Sequence, residues 1–196
     1  MRIKFIFRLI TILFLFNSIL LSDWSSQTAS SRAGTLVDVH FVDSNTGWYV
    51  NGGSGYSLTT DGGDNWGTNS CGGAGDWNGI FFVDTDHGWS VGDDGDIAES
   101  TDGGDCSWSV HGSKTDEDLY GVHFVSSNLG WAVGDNGTIT KNSSWAVWNT
   151  QTSGTTEDLR GVHFVSSSKG WVVGNSGTIL YTADGGSNWS SQTSGT

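Results

Sequence analysis

Asp61, Asp102 and Asp184 each open an Asp-Gly-Gly turn a few residues before a tryptophan, Trp66, Trp108 or Trp189. A carboxylate in such a turn could serve acid–base chemistry. It could equally accept backbone N–H groups while the following indole packs on the sheet. Recurrence in three copies favours the structural role. His40, His123 and His163 share one repeat slot, where the remaining copy has Phe81. A metal would need these imidazoles to converge as neutral ligands, whereas phenylalanine in the same slot indicates packing. "DTDHG" from Asp84 and "GDDGD" from Gly92 hold calcium-loop carboxylates without the spacing of an EF-hand. A sialidase-like site would need an arginine cluster, and beyond Ser22 only Arg32 and Arg160 occur. Glycanase chemistry would need two opposed carboxylates, and no pair stands out. These patterns predict no catalytic residue, no cofactor and no metal.

The elements that carry these residues repeat. "LVDVHFVDSNTGWYV" from Leu36 is matched by "WNGIFFVDTDHGWSV" from Trp77, "LYGVHFVSSNLGWAV" from Leu119 and "LRGVHFVSSSKGWVV" from Leu159. The tryptophans of the Gly-Trp pairs, Trp48, Trp89, Trp131 and Trp171, are 41, 42 and 40 residues apart. A glycine turn follows each, as in "GDNG", then an apolar stretch, the Asp-Gly-Gly turn and a Ser/Thr-rich strand opened by tryptophan. The third copy replaces the Asp-Gly-Gly turn with "KNSSWAVW". Short β-branched and aromatic runs between polar turns read as strands, and "GDNG" suits a tight hairpin with positive φ. A period near 40 with four strands per unit predicts an all-β fold: a β-propeller-like array of four four-stranded blades, 36–76, 77–118, 119–158 and 159–196. A spare outer strand, "DWSSQTAS", lies in 23–35 and duplicates "NWSSQTSGT" at the other end. Five outer strands for four sets of inner strands imply an incomplete ring or a strand that pairs elsewhere. Unpaired edges of this kind favour head-to-tail self-association.

Residues 1–22 form a different class. Arg2, Lys4 and Arg8 precede an apolar run from Leu9 to Leu21, which reads as a secretory signal peptide, with an uncleaved membrane anchor as the alternative. All 21 acidic residues lie beyond Ser22 against five basic ones, a charge of −16. That surface repels nucleic acid and favours a basic protein partner. Export predicts N-glycan acceptors at Asn136, Asn142 and Asn188, with Asn142 in the degenerate turn the foremost. Cys71 and Cys106 are expected on opposite sides of neighbouring blades, too far apart to pair.

Gly-Trp, Val-Gly-x-x-Gly and Asp-box at fixed offsets, as in "GVHFVSSNLGWAVGDNGTI" and "TADGGSNW", resemble the photosystem II assembly and stability factor family of Asp-box (BNR-like) propellers. The resemblance covers nearly everything beyond Ser22. It implies a non-enzymatic scaffold that binds protein subunits, at work in an organelle lumen or outside the cell. Asp-boxes also occur in glycan-active propellers, so a secreted carbohydrate-binding or glycoside-hydrolase-type protein is the alternative. The repeat accounts for most tryptophans, and Trp145 has no counterpart. Blade-connecting loops and the irregular third unit, Lys141, Trp145 and Trp148, are therefore the expected contact surface.

Overall fold

The computed structural model describes residues 26–27, 34–53, 55–67, 75–104, 108–144 and 147–195. The signal segment, Cys71, Cys106 and Trp145 lie outside these residues, as does most of the spare strand.

The chain forms four antiparallel sheets. Blade 1 holds β1 (Leu36–Phe41), β2 (Gly47–Asn51) and β3 (Tyr56–Thr59), and the position of its fourth strand lies largely outside the described residues. Blade 2 runs β4 (Trp77–Phe82), β5 (Gly88–Gly92), β6 (Asp96–Ser100) and β7 (Ser109–Gly112). Blade 3 runs β8 (Leu119–Ser126), β9 (Leu129–Gly134), β10 (Ile139–Ser144) and β11 (Val147–Gln151). Blade 4 runs β12 (Leu159–Phe164), β13 (Gly170–Gly174), β14 (Ile179–Thr182) and a two-residue β15 (Ser190–Ser191). Pairing is sequential within each sheet. The inner strands β1, β4, β8 and β12 adjoin in that order, and no strong strand contact joins blade 4 back to blade 1 among the described residues. The array is an open run of propeller blades.

A shared irregularity builds the blade junctions. Every inner strand has a register shift after its first residue, between Leu36/Asp38, Trp77/Gly79, Leu119/Gly121 and Leu159/Gly161. A bulge inserts one residue and resets the alternation of faces. Leu119, Val122 and Phe124 consequently pack in one cluster with Trp89, Val91 and Ile97 of the preceding blade. The next junction repeats this, with Leu159, Val162 and Phe164 against Trp131, Val133 and Ile139. At each junction the phenylalanine of one blade stacks on the Gly-Trp indole of the blade before. The centroids are 3.6 Å apart for Trp48–Phe82, 3.6 Å for Trp89–Phe124 and 3.4 Å for Trp131–Phe164. Glycine in the adjacent slot allows the approach: a Cβ on Gly79 would stand 2.6 Å from the Tyr120 carbonyl oxygen. Blade 1 has Asp38 there instead, and its carboxylate accepts the Ile80 N–H at 2.9 Å.

The expected hairpins form as 3-10 turns. Asn136 and Gly137 take φ of 52° and 71°, and Asp94–Gly95 and Ser176–Gly177 do the same. In blade 3, which lacks the Asp-box, β10 pairs with β11 so that Asn142 lies opposite Trp148.

Candidate functional site

The Asp-box carboxylates are consumed by their own turns. Asp184 accepts the Asn188 N–H at 2.9 Å, the Asn188 side-chain amide at 2.7 Å and the Thr182 hydroxyl at 2.8 Å. Asp61 makes the matching set with Asn65 and Thr59. Asp102 accepts the Ser100 hydroxyl at 2.9 Å. The side-chain amides of Asn65 and Asn188, with the other donors, hold Asp61 and Asp184 below the usual carboxylate range. A carboxylate that is ionised and saturated with donors is a poor proton acceptor, and each lies in its own blade. The outer-strand indoles of Trp108 and Trp189 meet Phe82 and Phe164 edge-on, at 5.9 Å between centroids in both cases. Trp66 meets Phe41 in the same way at 5.9 Å.

The histidines form a row along the inner strands. His40 lies 4.4 Å from Phe81, Phe81 lies 4.8 Å from His123, and His123 lies 4.5 Å from His163, centroid to centroid. Phe81 separates His40 from the other two. Burial, with the neighbouring imidazoles, pushes His123 down to about 4, and burial also lowers His40. A histidine with a depressed folded value favours folding only while neutral. Its contribution is complete above the ordinary value of 6.5 and is lost as pH falls towards about 4. The difference in melting temperature between the wild type and His123→Phe is therefore expected to grow in favour of the variant on acidification from neutrality. Thermal melts of both proteins across that window measure it, and a constant difference would contradict the assignment.

Of the contact residues expected in the third unit, two have structural duties. Trp148 is buried in the junction between blades 2 and 3, and so is not available to a partner. Lys141 donates to the Gly185 carbonyl at 2.9 Å and lies over the Trp131 ring at 5.3 Å, tying blade 3 to blade 4. The foremost glycan acceptor also changes. Asn142 is only 4% exposed because it belongs to a strand rather than a loop. Asn136 and Asn188 are both exposed, and their side-chain amides are held by Glu117 and Asp184, each at 2.7 Å.

A surface that motif reading passed over lies on the opposite face. The Asp-boxes bond to the first turns of their blades, for example Gly185 N–H to the Ser168 carbonyl at 2.8 Å, and mark one side of the array. The 3-10 turns and the blade-to-blade connections share the other. There, Asp118 accepts the Asp94 N–H at 3.0 Å and Asp158 accepts the Asn136 N–H at 3.3 Å, so the acids before β8 and β12 cap the turns of the preceding blades. Glu117 and Glu157 reach Asn136 and Ser176 at 2.7 and 2.8 Å. A shallow groove of about 670 Å³ runs along this side of blade 3 between Asn136–Ile139 and Thr150–Thr156. Arg160 is bound to Asp158 at 2.9 Å and packs 3.9 Å from the Tyr120 ring centroid, and Lys114 donates to Asn149 at 3.0 Å. The sequence signal was present as the acid directly preceding Trp77, Leu119 and Leu159.

The family model described as photosynthesis system II assembly factor YCF48 matches residues 140–195. No curated protein sequence matches the chain. Among solved structures, YCF48 bound to D1 peptide is 16% identical with a TM-score of 0.52, over 81% of this chain and 82% of that one. YCF48 from Cyanidioschyzon merolae is 20% identical with a TM-score of 0.63, over 81% of this chain but 56% of that one. An ancestral GH74 enzyme is 17% identical with a TM-score of 0.63, and the match spans 24% of its length. The four repeated sheets have the fold of β-propeller blades, and residues 140–195 are similar to the photosystem II assembly factor family.

Proposed function

We propose that the protein is a non-catalytic assembly scaffold that binds a basic segment of a protein partner. The observation that carries this reading is the acidic face, where Asp94, Asp116, Glu117, Asp118, Glu157 and Asp158 gather around the blade connections. The two cations beside them, Lys114 and Arg160, are already engaged. A single-signed surface of this kind raises encounter rates with oppositely charged partners and makes binding sensitive to salt. The family match supports a protein rather than a glycan as ligand. So does the nature of the Asp-box carboxylates, which accept donors from within their own turns. The N-terminal basic-then-apolar segment supports work in a secreted or lumenal compartment.

The glycan reading draws on the GH74 likeness, which is one of fold. The two readings separate in one experiment. Synthetic peptides matched in length but graded in net charge, and a β-glucan array, are presented to the wild type and to a variant carrying Asp94→Lys, Asp118→Lys and Glu157→Lys. The expected result is binding of the basic peptides that weakens at least tenfold in the variant and falls steeply with salt. Peptide binding indifferent to the charge reversal would overturn the acidic-face reading. Glucan hydrolysis abolished by one Asp substitution would overturn the scaffold.

A further inference from the structure

The junction between blades 2 and 3 departs from its neighbours at the edge where an Asp-box would lie. In the junctions on either side, the preceding blade presents donors to a carbonyl of the next blade's Asp-box. The Trp48 indole donates to the Gly103 carbonyl at 2.8 Å, and Trp131, Lys141 and Gln151 donate to that of Gly185 at 3.3, 2.9 and 3.4 Å. Blade 3 has no Asp-Gly-Gly, and blade 2 carries the opposite chemistry. Glu99, paired with Trp89, holds the slot of Lys141, which pairs with Trp131. His111, paired with Ile97, holds the slot of Gln151, which pairs with Ile139.

Both side chains face blade 3. Residues opposite each other in an antiparallel pair project from one face, and Trp89 and Ile97 pack in the core between blades 2 and 3. Asn142 faces them from the other side. It lies opposite Trp148, which belongs to that same core, and it holds the slot of Ser100 and Thr182. Those two hydroxyls accept the Gly104 and Gly186 N–H groups at 2.7 and 2.8 Å. Asn142 is 4% exposed, and its buried Oδ1 has no hydrogen-bond partner among the described residues. The buried Nε2 of His111 has none either. Glu99 is 7% exposed, and burial raises its carboxyl above the usual range, which His111 offsets only in part. An imidazole nitrogen, a carboxylate and an amide oxygen in such a setting are costly unless a further group satisfies them.

We propose that Glu99, His111 and Asn142 form a binding site for one divalent transition-metal cation, with zinc as its probe. The His111 Nε2 and a Glu99 carboxylate oxygen stand 3.4 Å apart without forming a hydrogen bond. Two ligands of a tetrahedral zinc ion, each at about 2.0–2.2 Å, are separated by about 3.3 Å, so the pair has the spacing of ligands to a shared ion. One imidazole beside two oxygens selects such an ion over calcium or magnesium, which take oxygen ligands. No group of three histidine, cysteine or acidic side chains is placed to hold a metal among the described residues, and the third donor here is the Asn142 amide. No short motif announces the site, since its donors lie on β6, β7 and β10, 12 and 31 residues apart. The ion joins two blades at the junction that no Asp-box clamps. The site lies on the Asp-box side, so it is independent of the partner-binding reading above.

Calorimetric titration with zinc chloride is made on the chain carrying Cys71→Ser and Cys106→Ser, which removes the thiols as competing ligands. The expected result is one zinc ion per chain, with a rise in melting temperature of about 5–10 °C at a hundredfold excess over Kd. Glu99→Gln and His111→Gln should each weaken binding at least about tenfold. His111→Gln installs the residue type that blade 3 carries in this slot, so the fold is kept. Calcium and magnesium should not compete. Lack of stoichiometric zinc binding, binding indifferent to both substitutions, or binding lost with His163→Phe or His87→Gln instead would each overturn the site. If Glu99→Gln loses its β-sheet circular dichroism, His111→Gln alone decides the outcome.

Discussion

Trp131→Ala is expected to lower the melting temperature by about 10 °C or more and to unfold blades 3 and 4 before blades 1 and 2. The indole is fully buried, stacks on Phe164 at 3.4 Å and donates to the Gly185 carbonyl at 3.3 Å. Truncating a buried aromatic to alanine costs about 3–5 kcal/mol, through lost transfer energy and the cavity left behind. For a domain of this size each kcal/mol corresponds to roughly 2–4 °C. The Gly185 carbonyl keeps donors in Lys141 and Gln151, so the loss is one of packing rather than of an orphaned acceptor. Blades contact only their neighbours, which confines the damage to the junction that loses its ring. Trp171 occupies the same slot in blade 4 but is partly exposed with no phenylalanine upon it, so Trp171→Ala should cost much less. Thermal melts of both variants, with hydrogen exchange to locate the first unfolding step, check the ranking. Equal effects at the two positions would contradict the junction model.

Gly134→Ala is the second large effect, and its cause is different. The φ of Gly134 is −165°, extended backbone that any residue can adopt, so no left-handed strain is involved. The obstacle is the carbonyl oxygen of Asp118, into which an added methyl would run. That carbonyl accepts the Asp135 N–H at 2.9 Å, and its residue leads straight into the buried Leu119. A backbone obstacle cannot rotate aside as a side chain can, so either the blade connection moves or the hydrogen bond breaks. Overpacking of a close contact costs about 1–3 kcal/mol, and this site belongs at the upper end. Gly92 and Gly174 face the Asp76 and Asp158 carbonyls in the same way, so Gly92→Ala and Gly174→Ala should behave alike. Gly112→Ala, with open space around its Cβ, is the control and should be nearly neutral. Denaturant melts of the four variants decide the matter.

The amino-acid sequence by itself determined the blade. Gly-Trp at a spacing near 40, β-branched runs and glycine turns are local signals, and the sheets begin at Leu36, Trp77, Leu119 and Leu159 because strand and turn preferences act within a few residues. The structural role of Asp61 and Asp184 was legible for the same reason: the donors they accept lie within four residues along the chain. What only the tertiary structure decided lies between blades. That Trp148 is core, that Lys141 is a clamp and that Asn142 is inaccessible depends on which face of a strand meets the neighbouring sheet. The one-residue bulge in each inner strand resets the alternation of faces, and its effect on the junctions shows only once the blades stack. The acidic face also exists only after folding, since Asp94 and Asp118, or Asn136 and Asp158, stand 24 and 22 residues apart in the chain yet within hydrogen-bonding distance in space. The sequence supplied four equivalent units, and only their stacking left Leu36 and Val173 in solvent while their counterparts are buried.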